Sequence, residues 1–349
     1  MKERVLLGMS SGIDSSVSAI LLKNSGFEVV GITFIFSELD FKQKNIIEST
    51  KYLANSLNIK HHVVDLRKEF NEHVISYFKS EYLVGRTPFP CAVCNPQVKF
   101  KKLIRFADKL NCQFISTGHY AQIVVNERLS FISKGVDREK DQSFFLWGLA
   151  SSVIDRMIFP LGNFLKSDVR EMANENGFPS LTNKKESLGI CFMENNDYRK
   201  YLKEEGINVG QGNFVNRKGQ IIGKHDGFIN FTIGQRRGLG LNLNTPMFVF
   251  EIKAERNEVI LGDFNELQRT KIELRNYHFP YLQKVSSKKK YIVKIRYRLQ
   301  ETPCIIDFQP SGKIVLNLSE PVSMVANGQT AVLYDKNRVI GGGFIESSE

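Results

Sequence analysis

Along the N-terminal third of the chain, short wholly apolar runs alternate with stretches whose apolar positions recur at helical spacing. Val5-Leu6-Leu7 predicts a buried strand, and Ser15 through Lys23 a helix carrying Val17, Ile20 and Leu21 on one face. Phe27 to Phe36 follows Gly26 as a second strand, residues 45–57 form a second helix, and His62-Val63-Val64 a third strand. The repetition is βαβαβ. It implies a parallel sheet covered by helices on both faces, with ligands at the carboxyl ends of the strands.

Residues 66–83 predict a long helix and Gly85 to Cys94 a loop. A further helix is expected with Asn95 as N-cap, Pro96 in its first turn, and Phe100, Leu103, Ala107 and Leu110 on its buried face. The strand Phe114-Ile115-Ser116-Thr117 leads into Gly118-His119-Tyr120, and Tyr120 to Lys134 alternates as a hairpin does. Residues 141–202 look mainly helical, interrupted at Pro160, Pro179 and the Gly189 region. After residue 206 glycines punctuate short β segments, including expected strands at Lys290–Leu299, Cys304–Phe308, Ile314–Leu318 and Ala331–Tyr334. The expected organisation is an α/β nucleotide-binding domain over 1–206, a small module over 207–270 and an all-β, barrel-like module over 271–349.

The length of 349 residues accommodates two or three such domains. A hydrophobic share of 42% excludes wholesale disorder, and no apolar run is long enough to span a bilayer. Five cysteines are too few for a disulfide scaffold, and the N-terminus lacks a signal-peptide pattern, so a reducing cytoplasmic setting is expected. The formal charge of +11 makes a polyanionic partner plausible.

Between the first strand and helix lie Gly8-Met9-Ser10-Ser11-Gly12-Ile13-Asp14-Ser15-Ser16. Backbone amides and hydroxyls at a helix N-terminus suit phosphate oxygens; the plainer reading is a Ser-rich cap. The loop is neither a Walker loop nor GxGxxG. Asp14 is expected to orient it or to help hold a phosphate-bridging Mg²⁺. The segment resembles the SGGxDSS loop of the ATP-pyrophosphatase (PP-loop) superfamily, which implies ATP binding and adenylation of a carbonyl oxygen. Ser11 stands where that family has Gly, a costly departure if the position requires a left-handed backbone.

Cys91 and Cys94 form a CxxC in a Pro-rich segment, with Cys94 expected just before a helix whose amide dipoles favour thiolate. Structural thiols, a redox pair and a zinc half-site are alternatives. Cys191 lies in Glu186-Ser187-Leu188-Gly189-Ile190-Cys191-Phe192-Met193, a connection able to deliver another thiol; Cys112 and Cys304 read as packing residues.

These stretches together resemble the tRNA-specific 2-thiouridylases over nearly the whole chain. The resemblance is carried by Gly85-Arg86-Thr87-Pro88, Cys94-Asn95, Lys99-Phe100, Thr117-Gly118-His119-Tyr120, Lys140-Asp141-Gln142-Ser143 and Gly189-Ile190-Cys191-Phe192. It continues through Phe231 to Gly240, Ile295-Arg296-Tyr297-Arg298 and Gly341-Gly342-Gly343. It implies ATP-dependent 2-thiolation of the wobble uridine in a tRNA anticodon stem-loop, with sulfur supplied by a persulfide relay protein. It further implies ATP contact at Gly8 to Ser15, Phe34 and Gly118, and Cys94 as nucleophile with Cys191 as persulfide carrier, the two passing through a disulfide. Contacts to tRNA are implied at Phe89, Pro90, Cys91, His119, Lys140, Asp141, Gln142, Arg296, Tyr297 and Gln329.

Cys91 occupies a position where the family usually has Asp. That opens an alternative in which Cys91, Cys94 and Cys191 ligate a [4Fe–4S] cluster. Two further rivals are another PP-loop ligase, such as an argininosuccinate-synthase-like enzyme, and a catalytically weakened tRNA-binding protein. Gln235-Arg236-Arg237 either reaches phosphates or fixes a turn between Gly234 and Gly238.

Overall fold

The computed structural model describes residues 2–38, 41–182, 189–193, 197–242, 245–298 and 301–349. The chain divides into two compact units: residues 1–74, 91–192 and 337–340 form the first, and residues 75–90, 193–336 and 341–349 the second.

The first unit is built on β1 (Arg4–Gly8), β2 (Glu28–Ile35), β3 (Lys60–Asp65) and β4 (Phe114–Thr117). Val5, Leu6 and Leu7 are fully buried, as a central strand covered on both faces requires. Helix α1 (Ile13–Asn24) connects β1 to β2. It stops at Gly26, whose φ of +92° permits the Gly26 amide to reach Lys23 O at 3.0 Å and the Phe27 amide to reach Leu22 O at 3.2 Å. Helix α2 (Phe41–Ser56) connects β2 to β3. After β4 come the hairpin strands β5 (Ala121–Asn126) and β6 (Leu129–Lys134), then β7 (Met157–Ile158). The parallel sheet has the order β3-β2-β1-β4-β7. Its order reverses direction at β1 and β4, which run in register with Gly8 beside Thr117. That switch point is where ligands enter folds of this kind.

Two expectations change here. Residues 141–202 are only partly helical: helix Lys166–Glu175 is formed, but Met157–Ile158 supplies a fifth parallel strand, too short to show periodicity. The expected loop ending at Cys94 instead enters a helical run at Pro90: an α-turn over Pro90–Cys94, a π-turn over Asn95–Lys99, then helix Phe100–Lys109. Pro96 has no amide to donate and its ring would crowd the carbonyl four residues back; the wider π-turn accommodates both defects. Asn95 is therefore not a cap. It is buried, with its side-chain amide donating to Phe145 O at 2.6 Å.

In the second unit, strands β8 (Gly212–Asn216), β9 (Ile221–His225), β10 (Phe248–Lys253) and β11 (Glu258–Gly262) form a sheet of order β10-β11-β8-β9. Strands β12 (Arg269–His278), β13 (Lys290–Lys294), β14 (Thr302–Phe308), β15 (Ile314–Val322), β16 (Thr330–Asp335) and β17 (Arg338–Ser348) follow, the first three residues of β17 belonging to the first unit. Their order is β12-β15-β14-β13-β16-β17, and β12 also pairs with β17, which closes a barrel. β13 ends at Lys294, short of the expected Leu299, which lies outside the described residues together with Glu186, Ser187 and Leu188. Among the described residues no helix is long and apolar enough to cross a membrane.

Candidate active site

The loop leaving β1 is held by its own serines. Ser15 Oγ donates to Ser10 O at 2.5 Å and accepts from the Ser10 amide at 3.1 Å, while Ser16 Oγ donates to Gly12 O at 2.8 Å. Gly12 is the extended N-cap residue, and Ile13, Asp14 and Ser15 open α1, so their amides have no acceptor within the helix. Met9 is buried and ties the loop to β2, its amide donating to Ile32 O at 2.8 Å. Ser11 is not among the residues with left-handed backbone, so its side chain carries no conformational strain there. Gly118, at the end of β4, abuts the same helix start: a Cβ on it would lie 2.9 Å from the Ser15 nitrogen. No other residue fits that position.

Asp14 is turned away from a purely anionic role. Its Oδ1 accepts from Tyr120 Oη at 2.8 Å and from Lys166 Nζ at 2.6 Å. Lys166 is buried, and sequence reasoning did not single it out. The available signal is a lysine in the first turn of a helix, against the helix dipole, which calls for a specific anionic partner. Phe34, half-buried at the end of β2, faces Phe36 with ring centroids 6.0 Å apart and Phe106 at 6.5 Å.

All five cysteines are free thiols. Cys91, Cys94 and Cys191 belong to the first unit. The Cys191 thiol lies within the electrostatic reach of Cys91 and Cys94, and Cys94 within that of Cys91. Burial pushes Cys94 up to about 11 and Cys191 up to about 12, with the neighbouring thiols adding to the shift. As residues, Cys191 is exposed while Cys91 and Cys94 are half-buried. The expected dipole-favoured thiolate at Cys94 is thus corrected: the residue sits at the end of the first helical turn, with φ −58° and ψ −46°, not ahead of a helix.

The opposing influence is Lys99. Its charge favours thiolate at all three cysteines, and its backbone amide acts on Cys94 as well. The π-turn brings these two residues, five apart, onto one stretch of helix surface. Lys99 Nζ lies 3.4 Å from His119 Nε2, and His119 Nδ1 lies 2.6 Å from Thr117 Oγ1. Burial and the Lys99 charge keep His119 far below the ordinary histidine range, hence neutral. The ammonium has only protons to offer, so Nε2 accepts and Nδ1 donates to the threonine. Lys99 carried part of the sequence resemblance without an assigned role; its signal is the offset from Cys94.

Several residues expected to face RNA are engaged internally. Asp141 is buried, accepting from the amides of Gly135 at 3.0 Å and Ser143 at 3.1 Å and from Ser143 Oγ at 2.9 Å. Gln142 Oε1 accepts from the Tyr120 amide at 3.0 Å, and Lys140 beside them is half-buried. In the second unit, Gln329 Nε2 donates to the carbonyls of Thr87 and Pro88, each at 3.1 Å, which positions the segment carrying half-buried Phe89 and buried Pro90. Arg296 donates to Met324 O and is half-buried beside Tyr297. Gln235 does fix a turn, its Nε2 reaching Arg237 O at 3.0 Å, while Arg236 and Arg237 stay exposed.

A parallel sheet whose first strand delivers a serine-rich phosphate loop at the switch point defines the first unit as a PP-loop nucleotide-binding domain. Residues 3–195 match the family model for a tRNA methyl transferase HUP domain, residues 199–263 a tRNA methyl transferase PRC-barrel domain, and residues 269–345 an aminomethyltransferase beta-barrel domain. The chain is 42% identical to the tRNA-specific 2-thiouridylase MnmA of Cytophaga hutchinsonii over 362 aligned residues, covering 99% of this chain and 98% of that one. It is 41% identical to MnmA 3 of Phocaeicola vulgatus, covering 99% and 95%. Identity to MnmA of Amoebophilus asiaticus is 40%, covering 99% and 96%. The chain belongs to the tRNA-specific 2-thiouridylase family.

Proposed function

We propose that this protein is an ATP-dependent tRNA-uridine 2-sulfurtransferase acting on C2 of the wobble uridine. The observation that carries this reading is the grouping of Cys94 and Cys191, from distant parts of the chain, in the unit that also bears the phosphate loop. The rival PP-loop ligases leave those thiols without a task.

A uridine C2 oxygen is a poor leaving group until it is adenylated. In our reading the amides at the start of α1 hold the polyphosphate, Phe34 packs on the adenine, and the C2 oxygen attacks the α-phosphorus with release of pyrophosphate. Asp14, neutralised by Lys166 and fixed by Tyr120, keeps the loop in shape. With both donors on Asp14 Oδ1, Oδ2 would be the side-chain oxygen left to hold a phosphate-bound Mg²⁺, which would offset charge on the phosphates.

Cys191 carries the incoming sulfur as a persulfide, and Cys94 resolves it. Attack of Cys94 on the Cys191 inner sulfur releases hydrosulfide, which adds to C2 and expels AMP. Alternatively the terminal sulfur adds to C2 first and the Cys94–Cys191 bond forms as it departs. Both routes end in a disulfide that an external dithiol or glutathione must reduce by two electrons. Cys91, held neutral by burial, serves as a proton donor near the base rather than as the carboxylate usual at this position. The [4Fe–4S] alternative lacks support: among the described residues no group of three His, Cys, Asp or Glu side chains is arranged to hold a metal ion.

We further assign residues 1–206 to catalysis, 207–270 to a tRNA-binding module and 271–349 to a barrel that carries Arg296, Tyr297 and Gln329 toward the anticodon stem-loop. His119 and the Lys140–Gln142 segment contact the same RNA, Asp141 by shaping the segment. We assign the protein to the cytoplasm and a persulfide relay protein as its sulfur-donating partner. Mass spectrometry of nucleosides from tRNA incubated with protein, ATP, Mg²⁺ and a persulfide source tests the activity. Thiouridine dependent on ATP supports the reading; tRNA retention without turnover supports a binding protein instead.

A further inference from the structure

Four phenylalanine rings run in unbroken contact through the first unit. Phe34 and Phe36, on one side of the β2 end, have centroids 6.0 Å apart; Phe36 meets Phe70 at 5.0 Å, and Phe70 meets Phe192 edge-on at 5.6 Å. Phe70 is 1% exposed, so the middle of this stack is core. The two ends differ. Phe34 is half-buried at the carboxyl end of the sheet, and Phe192 is half-buried in the chain position next to Cys191. The Phe70–Phe192 contact is edge-on at 71° and the other two are tilted at 53° and 37°; ring contacts of this kind depend on orientation, so a ring locked at one end restrains its neighbours in a way that aliphatic packing does not. Contiguous packed side chains are one route by which such restraint is carried, and this stack supplies it.

We propose that Phe192 is a positioning residue that holds the Cys191 thiol beside Cys94 by docking on Phe70, and that a nucleotide seated against Phe34 tightens this hold through the ring stack. The second half rests on the reading of Phe34 as the adenine wall. The consequence is ordering of the reaction: the sulfur-carrying thiol is held in register most firmly when a nucleotide is present.

The test uses the full-length protein in glutathione redox buffers, with the Cys94–Cys191 disulfide measured by peptide mass spectrometry. One oxidised glutathione takes the two electrons and both thiol protons to give two reduced glutathiones, so the equilibrium reports the effective concentration of one thiol at the other. Phe192→Ala should lower that concentration about tenfold or more, and Phe192→Tyr, which keeps a ring, should restore it. A saturating non-hydrolysable ATP analogue should raise it severalfold in the unaltered protein. Phe36→Leu should abolish that rise while leaving the nucleotide-free value near the starting one.

Equal values for the unaltered protein and Phe192→Ala would overturn the positioning role. A nucleotide effect that survives Phe36→Leu, or none in the unaltered protein despite binding measured directly by calorimetry, would overturn the coupling. Failure of the analogue to bind in calorimetry overturns the adenine reading and the coupling together, and failure of the two thiols to pair at all overturns the sulfur-transfer reading itself. These failures are read on separate signals.

Discussion

The Lys99 ammonium stands 3.4 Å from Nε2 of a neutral His119, which is itself anchored to Thr117. A neutral acceptor does not offset the charge of the cation it binds. That charge is directed at Cys91, Cys94 and Cys191, where burial otherwise disfavours thiolate. Lys99→Met should raise the Cys94 thiol further and slow its alkylation by iodoacetamide at pH 8 by about tenfold, the equivalent of one pKa unit. tRNA affinity in a filter-binding assay should change little.

The pH dependence of that alkylation has a definite sign. With Cys94 pushed up to about 11, the thiolate fraction is small at neutral pH and grows with each added unit of pH. The alkylation rate should climb about tenfold per unit through pH 9 and level only near 11. A plateau already at pH 8.5 would mean an unburied thiol.

Histidine burial predicts how stability varies with acidity. His61, His62, His119 and His225 all have folded values below the ordinary 6.5. The unfolded chain therefore binds more protons as pH falls through about 6.5, and stability rises with pH in the window below it. Each such group contributes a slope of up to about 1.4 kcal/mol per pH unit. His119→Gln should flatten the curve by up to one proton in denaturant titrations between pH 5 and pH 7.

The Asp14–Lys166 pair should be revealed by a double-mutant cycle. Lys166→Met leaves Asp14 with only the Tyr120 hydroxyl and should cost about 1–2 kcal/mol of stability and weaken nucleotide binding. Adding Asp14→Asn should recover most of the stability in thermal unfolding, because no uncompensated carboxylate remains.

Much of the first unit was legible in the sequence because β1 and the middle of β2 are apolar runs and helix Phe100–Lys109 is amphipathic, burying Phe100, Leu103 and Ala107. Val5 to Leu7, the Gly26 stop and the succession of β1 to β4 along the chain all follow from local rules. The failures have local causes too. Pro96 looks like the start of a helix, yet a π-turn lets the chain pass through it, and that shifts Cys94 from a dipole-activated position to a buried one. β7 is two residues long and carries no periodic signal. β12 and β17 escaped because bulges break their alternation, and their pairing is what closes the barrel. At the site, motifs drew attention to the reacting groups but not to Lys99 and Lys166, whose significance depends on what lies beside them in space.

The sulfur-transfer account is tested most directly by a single turnover with persulfide-loaded protein, ATP and tRNA in the absence of reductant, quenched in acid and mapped by mass spectrometry. One Cys94–Cys191 disulfide should appear for each 2-thiouridine formed, and Cys94→Ser and Cys191→Ser should each give neither while still binding tRNA. Full product with both thiols remaining free would contradict it.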